Sequence, residues 1–268
     1  MRRLLALVVL AFAWAGPASA GPLVAAHRGG AALWPENSLL VFRGALALGV
    51  DFLETDVHLT ADGAIVVLHD ATLDRTTNAT GAVSERRLAD LATVRLRAAG
   101  GAVTDESLPT LAQLLDLMAP SRARLLLEIK VDAHGRPYPG IEDKVLALVR
   151  SRGMAERVLI MAFQAETLRR VRALDAAIPT VLLIGRGRME QDRAAEAAVR
   201  DARDVRASHI AIDHRAVDSS VVASARSAGL GLGAWTVNTE SDMRRIIDLG
   251  VEILISDRPD LATRLRGR

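Results

Sequence analysis

The chain has 268 residues, half of them hydrophobic, which is enough to bury a sizeable core. Its formal net charge is only +2, no run of lysine and arginine is long enough to form a nucleic-acid-binding arm, and aromatic residues are scarce, so we expect no nucleic-acid partner. Cysteine is absent, which excludes disulfide bonds, thiolate nucleophiles and zinc–thiolate sites.

The first twenty residues have the pattern of a secretory signal peptide. Arg2 and Arg3 precede an apolar run over residues 4–15, Pro17 interrupts it, and a small-x-small cleavage sequence ends at Ala20. The run is shorter than the ~20 apolar residues that a membrane-spanning helix needs, so we expect cleavage and no stable membrane anchor. The mature protein is then exported, either to the periplasm or outside the cell.

After residue 20, short aliphatic runs alternate with amphipathic stretches, which predicts strands alternating with helices. The predicted strands cover residues 23–26, 52–57, 125–129, 158–161, 180–184, 210–212, 231–235 and 253–255. The predicted helices cover residues 38–48, 111–118, 141–152, 165–174, 193–203, 219–228 and 240–249. Eight strands joined by crossovers predict an α/β fold, a (β/α)8 TIM barrel. The alternative is a doubly wound open sheet, but no G-x-G-x-x-G motif follows the first strand to favour it.

A ninth aliphatic run, over residues 64–69, does not fit the regular alternation. Only a short turn at residues 60–63 leads into it from the second strand, and a parallel crossover needs a dozen residues or more. We therefore predict a hairpin through Asp62-Gly63 and a strand antiparallel to strand two. The hairpin begins an insertion over about residues 60–106, which would cover one mouth of the barrel. No linker divides the chain, so residues 21–268 are predicted to form one domain.

Three acidic residues lie near the carboxyl ends of neighbouring predicted strands, where the active sites of such barrels are found. Glu54 and Asp56 are two residues apart, so both side chains point to one face of strand two, and Glu128 lies on strand three. Buried carboxylates are costly unless they are paired or bind a metal. Pairing with Arg28 and Lys130 would be the simpler role, but three converging carboxylates favour a divalent cation. Oxygen ligands favour Ca²⁺, Mg²⁺ or Mn²⁺ over zinc.

Two histidines and two positively charged side chains complete the candidate site. His27 follows the first strand and His69 follows the hairpin strand, so they can serve as a general acid/base pair. Arg28 offers a planar fork and Lys130 a point charge to a phosphate. Together these groups indicate a phosphoester substrate. A structural or solvated role is predicted for the other histidines, His58, His134, His209 and His214.

The order and spacing of short motifs carry a family resemblance. The motifs are H-R-G at residues 27–29, P-E-N at 35–37, E-x-D at 54–56, D-G at 62–63, H-D at 69–70 and R-T-T at 75–77, followed by LPTLAQLLDL, LLLEIK and GAWTVNTESDMRRIIDLGVEILISDRP. Over nearly the whole mature chain, the sequence resembles the glycerophosphodiester phosphodiesterase family. That resemblance implies a barrel with a small insertion after strand two. It also implies hydrolysis of glycerophosphodiesters to sn-glycerol 3-phosphate and an alcohol.

The resemblance also implies a role for each matching residue. His27 and His69 would be the catalytic acid/base pair, and Glu54, Asp56 and Glu128 would hold one divalent cation, Ca²⁺ or Mg²⁺, with Mn²⁺ as the alternative. Substrate and phosphate contacts would come from Arg28, Glu36, Lys130 and Trp235, with Glu36 beside the arginine, Trp235 against the glycerol or alcohol, and Asn37 just behind the site. Ala162 departs from the family, which has a serine there, so a hydrogen bond from that serine is not expected.

Several alternatives remain open from sequence. The nucleophile is either water or the glycerol 2-hydroxyl, and either histidine could be the acid. A lysophospholipase D-like phosphodiesterase acting on lipids is a second function, and a non-catalytic exported module that binds glycerophosphodiesters is a third.

Overall fold

The computed structural model describes residues 21–190 and 194–267. Its strands are β1 (Leu23–Ala26), β2 (Phe52–Leu59), β3 (Ile65–Val67), β4 (Arg95–Arg97), β5 (Val103–Ser107), β6 (Arg124–Ile129), β7 (Val158–Ala162), β8 (Thr180–Ile184), β9 (His209–Asp213), β10 (Gly231–Trp235) and β11 (Ile253–Ser256). Its α-helices are α1 (Leu39–Ala47), α2 (Leu111–Met118), α3 (Ile141–Ser151), α4 (Ala165–Leu174), α5 (Arg186–Met189), α6 (Ala194–Asp204), α7 (Ser219–Ser227), α8 (Glu240–Asp248) and α9 (Pro259–Arg266). The predicted signal peptide and the first residue of predicted helix 193–203 lie outside the described residues.

Eight parallel strands close into a barrel. β1 pairs with β11 on one side and with β2 on the other, while β6 to β10 continue the sheet between them in chain order. Helices connect the successive strands, as they must when parallel neighbours are joined by crossovers. The predicted (β/α)8 barrel is therefore confirmed. Within the described residues, we find no helix that has both the length and the apolar character required to cross a bilayer.

The apolar residues form an inner and an outer layer. Because strand side chains alternate, one set fills the lower barrel interior and the other packs between the barrel and its helices. Phe52 belongs to the inner set, with Leu126 and Ile253 beside it. Glu54 and Asp56 follow Phe52 on the same inner face of β2. The barrel consequently has an apolar floor and a polar mouth at the carboxyl ends of its strands.

The insertion begins as predicted, with a hairpin. β2 continues to Leu59, two residues beyond its predicted end, and pairs antiparallel with β3. β3 ends at Val67, before the predicted residue 69, and the side chains of Val66 and Leu68 lie in a small separate core. That insertion core consists of Val66, Leu68, Leu73, Val83, Leu91, Val94, Leu96 and Leu108. The β4–β5 hairpin in the insertion was not predicted; its strands are only three and five residues long, and Val103 is the single apolar residue of β5.

Candidate active site

The three predicted carboxylates meet at the mouth of the barrel. Asp56 on β2 is in register with Glu128 on β6. Glu54 lies two residues before Asp56 on β2, so the two side chains are on the same face of the strand. One carboxylate oxygen from each residue lies within 4.8 Å of those from the other two. All three residues are at most 8% exposed, so little water compensates their charges. This geometry brings together the group that the sequence predicted as a metal site.

The charges in this group fit a divalent cation. Burial and the charge of Asp56 raise the pKa of Glu54 to about 8. Burial also raises the pKa of Glu128 to about 7, despite the lowering effect of Lys130. Burial acts to raise the pKa of Asp56 too, but the charges of Lys130, His69 and Arg28 together outweigh it and hold that pKa below its usual range. Among the described residues, no group forms a hydrogen bond to the buried Oδ1 of Asp56. Crowded negative charge and a buried acceptor atom without a hydrogen bond are what a bound cation would relieve.

Residues around the carboxylates hold them in place. Asn37 Nδ2 donates to Asp56 Oδ2 at 3.0 Å, and Thr55 Oγ1 donates to Asn37 Oδ1 at 2.8 Å. The backbone N–H of Arg28 donates to Glu54 Oε2 at 2.7 Å. Asn37 therefore lies behind the acidic group, where the family resemblance placed it. It adopts a left-handed backbone conformation with φ of 58°, which asparagine tolerates better than most residues.

His27 is oriented by a carboxylate from the other end of the chain. Its Nδ1 lies 2.6 Å from Asp257 Oδ1, just after β11, and Asp257 Oδ2 accepts a 2.6 Å hydrogen bond from Asn238. Burial acts to lower the pKa of His27, but the charge of Glu54 and the bond to Asp257 raise it overall. An ionised carboxylate only accepts, so Nδ1 carries a proton and Nε2 is left for proton exchange. No role was predicted for Asp257, although its position directly after the last strand was an available signal.

His69 has a matching arrangement on the insertion side. Its Nδ1 lies 2.7 Å from Asp70 Oδ1. Burial lowers the pKa of His69. His58 Nε2 lies 3.1 Å from the backbone carbonyl of His69, and His58 Nδ1 lies 2.9 Å from the Tyr138 hydroxyl. His58 is fully enclosed, and burial lowers its pKa to about 4. It therefore supports the backbone of His69 and has the structural role predicted for it.

The positively charged side chains of Arg28 and Lys130 lie beside the acidic group. Lys130 Nζ is 2.9 Å from Glu128 Oε1 and 3.4 Å from Asp56 Oδ1. Arg28 Nη1 donates to Glu36 Oε1 at 3.1 Å, so Glu36 holds the arginine from behind. Arg28 itself has a left-handed backbone with φ of 49°, an uncommon conformation for a non-glycine residue that is often found at functional sites.

A cavity of about 130 Å³ opens between these groups. One side is charged and the other is apolar; its lining includes His27, Arg28, Glu54, His69, Glu128 and Lys130 opposite Met161, Phe163, Leu183, Trp235 and Ile255. Trp235 donates its indole N–H to the Ala211 carbonyl at 2.9 Å, and its ring meets Phe163 edge to face at a centroid distance of 5.7 Å. The cavity thus offers ion-pairing groups to a phosphate and an aromatic corner to an organic substituent.

Some predicted residues lie away from the cavity. Glu36 does not line it, but its carboxylate holds Arg28, which does. Ala162 packs in the outer core between barrel and helices, so its missing hydroxyl does not face the cavity. Of the residues that the structure describes, His134, His209 and His214 do not line this cavity.

Residues 27–261 match the model of the glycerophosphoryl diester phosphodiesterase family. The chain belongs to this family. The match begins at His27 and covers every strand of the barrel except β1.

Individual relatives agree in sequence and in fold. A glycerophosphodiester phosphodiesterase from Caldanaerobacter subterraneus subsp. tengcongensis is 32% identical over 250 residues, which are 89% of this chain and 95% of the relative. A crystal structure from Agrobacterium tumefaciens superposes with a TM-score of 0.86 at 31% identity, covering 92% of this chain and 98% of that one. The Oleispira antarctica phosphodiesterase, solved in complex with the product sn-glycerol-3-phosphate, has a TM-score of 0.76 at 25% identity over 91% of this chain and 96% of its own.

Proposed function

We propose that this protein is an enzyme that hydrolyses glycerophosphodiesters to sn-glycerol 3-phosphate and an alcohol. The observation that carries the proposal is one cavity lined by two histidines, by the positively charged side chains of Arg28 and Lys130, and by carboxylates of the acidic group. Family membership and the product-bound relative support the same reaction. A module that only binds would have no need of two histidines that each have a carboxylate partner.

Glu54, Asp56 and Glu128 would hold the divalent cation, with Ca²⁺ or Mg²⁺ expected and Mn²⁺ as the alternative. When bound, the cation supplies positive charge that neutralises the phosphate and stabilises the charge that develops in the transition state. Lys130 lies against two of these carboxylates, so it can balance their charge as well as bind a phosphate oxygen.

The chain's own groups then perform the binding and the proton transfers. Arg28 donates to the phosphate while Glu36 fixes its guanidinium. One of His27 and His69 takes the proton of the nucleophile, and the other protonates the departing alcohol oxygen. Asp257 and Asp70 hold the two Nδ1–H groups, so both transfers occur at Nε2. Trp235 and Phe163 pack against the carbon chain of the substrate.

The first experiment strips the mature protein, residues 21–268, with chelator and returns Ca²⁺, Mg²⁺, Mn²⁺ or Zn²⁺ in turn. A coupled dehydrogenase detects glycerol 3-phosphate released from glycerophosphocholine. Restoration of that product by an oxygen-preferring cation supports the reaction and identifies the cation. Cleavage of lysophosphatidylcholine instead would favour the lysophospholipase D alternative. If folded protein has no activity with any cation or substrate, the binding module is the better description.

A second experiment assigns the histidines by the quality of the leaving group. The 4-nitrophenolate of bis(4-nitrophenyl) phosphate leaves without a proton, so the variant that lacks the acid should keep most of its activity on that compound. The variant that lacks the base should lose about 10²–10⁴-fold on both substrates. His27→Asn and His69→Asn are compared, with His134→Asn as an exposed control outside the cavity. Near-normal turnover of glycerophosphocholine by both site variants would refute the histidine pair.

We also propose that residues 1–20 direct export and are removed. The charged start, the short apolar run and the Ala18-Ser19-Ala20 sequence support this. N-terminal sequencing of protein recovered from the periplasm or medium should begin at Gly21. Full-length protein retained in the cytoplasm would contradict it.

A further inference from the structure

Arg75, in the insertion between β3 and β4, binds two carboxylates at once. Its Nε and Nη2 donate to Asp70 at 2.7 and 2.9 Å, and its Nη1 and Nη2 donate to Glu36 at 2.9 and 2.8 Å. Both contacts are two-point contacts, a geometry that the planar guanidinium fork allows and that a lysine ammonium cannot reproduce. Arg75 is not among the residues that line the cavity.

Each of these carboxylates has its second partner inside the cavity. Asp70 Oδ1 lies 2.7 Å from His69 Nδ1, and Glu36 Oε1 accepts from Arg28 Nη1 at 3.1 Å. A continuous series of hydrogen-bonded side chains therefore runs from His69 through Asp70, Arg75 and Glu36 to Arg28. It connects a proton-transfer group on the insertion with a phosphate-binding group on the barrel.

The charges along this series are balanced through Arg75. Burial acts to raise the pKa of Glu36, but hydrogen bonds from Arg75 and the charges of Arg28 and Arg75 together hold it below its usual range. Hydrogen bonds from Arg75 likewise lower the pKa of Asp70. Arg75 is half exposed, and an isolated ion pair at such a position would stabilise little. Two two-point contacts that share one guanidinium form a network, which is the exception to that rule.

Resting on the proposed function, we propose that Arg75 is a positioning residue for the reaction. It holds Asp70 where it orients the His69 ring and holds Glu36 where it orients the Arg28 guanidinium. Its loss would let both groups move, because each carboxylate would keep only the partner it is meant to fix. A displacement of about 1 Å at such groups can cost about 10²-fold in rate.

The test compares Arg75→Met, Arg75→Lys and Arg97→Met in the mature, cation-loaded protein. Arg97 lies in the same insertion, and within the part of the chain that the structure describes its side chain donates only to the backbone carbonyls of Thr77 and Gly101. We expect kcat/KM for glycerophosphocholine to fall about 10²-fold in Arg75→Met, with kcat reduced and KM raised, and about 10-fold or more in Arg75→Lys. Arg97→Met, matched in residue type and location, should stay within about threefold of the wild type. Equal losses in Arg75→Met and Arg97→Met would overturn the proposal.

Two further readouts separate positioning from simple loosening of the insertion. The double variant Glu36→Gln/Arg75→Met should lose less kcat/KM than the product of the two single-variant losses. Both substitutions break the same hydrogen bonds, so their effects overlap. Strict multiplication would contradict the proposal. Calorimetry should show weaker binding of glycerol 3-phosphate to Arg75→Met than to Arg97→Met. This last comparison needs no turnover, so it tests Arg75 even if the wild type proves inactive and the proposed function fails; equal affinities would refute the role of Arg75.

Discussion

Replacing Glu128 by glutamine should stabilise the cation-free protein at high pH. Glu128 is buried beside Asp56 and Glu54, and burial raises its pKa to about 7 from an ordinary 4.5. The folded protein therefore holds a proton on this group that the unfolded chain has lost between those pH values. A raised pKa of this kind adds stability below about pH 4.5, and that stability is lost as the pH rises through about 7.

The size of the effect follows from the same values. The difference between about 7 and 4.5, at about 1.36 kcal/mol for each pH unit, corresponds to about 3 kcal/mol above pH 7. Glutamine has no charge to bury, so Glu128→Gln avoids that penalty while Asp56 remains as a partner for Lys130. For a chain of this length, about 3 kcal/mol corresponds to a rise in Tm of about 6–12 °C.

The assay is urea and thermal unfolding in chelator from pH 5 to 8.5, repeated with saturating cation. In chelator, the variant should exceed the wild type at pH 8 and approach it at pH 5. With cation the order should reverse, because only the wild type retains all three ligands and the stabilisation that binding gives. A flat pH profile of the wild type in chelator, or a variant less stable than it at pH 8, would refute the reasoning.

Three other substitutions test separate parts of the structure. Asp257→Asn removes the carboxylate that fixes the Nδ1 proton of His27, so kcat should fall about 10²-fold or more at similar KM, measured with glycerophosphocholine; wild-type turnover would argue against that role. His58→Phe should cost about 1–3 kcal/mol in urea unfolding, because the Tyr138 hydroxyl and the His69 carbonyl lose a buried partner, and an unchanged midpoint would show that water replaces it. Phe52→Ala should lower the free energy of unfolding by about 3–5 kcal/mol, since the ring fills the floor of the barrel, whereas a loss below 1 kcal/mol would mean that the floor collapses around the gap.

The barrel was predictable because each of its strands is marked by a short local pattern in the sequence. The aliphatic run at residues 125–129 is bounded by polar residues and became β6 with one residue added at its start. The β4–β5 hairpin has no such pattern. Val103–Ser107 alternates exposed and half-buried positions, and its partner strand β4 contributes Leu96 to the insertion core, a contact that only the folded chain creates.

Some residues of the candidate site could likewise be placed from local sequence, and others only from the folded structure. Glu54 and Asp56 could be placed on one face from their spacing alone, because a strand has a period of two residues. The partner of His27 could not be predicted from spacing. Asp257 lies 230 residues away and approaches His27 only when β1 and β11 pair to close the barrel. Arg75 belongs to a motif visible in the sequence, but its two carboxylates come from different loops and meet it only in three dimensions.

The separate core of the insertion also bears on how activity would be lost on heating. Parts of a protein with few packed residues open more readily than the main core, in units that often coincide with such substructures. The insertion packs around eight buried side chains, whereas the barrel and its helices share one extensive core. His27 is attached to the larger unit and His69 to the smaller one. We therefore expect the amide hydrogens of the insertion to exchange before those of the barrel, and turnover to fail at temperatures where the barrel strands are still protected.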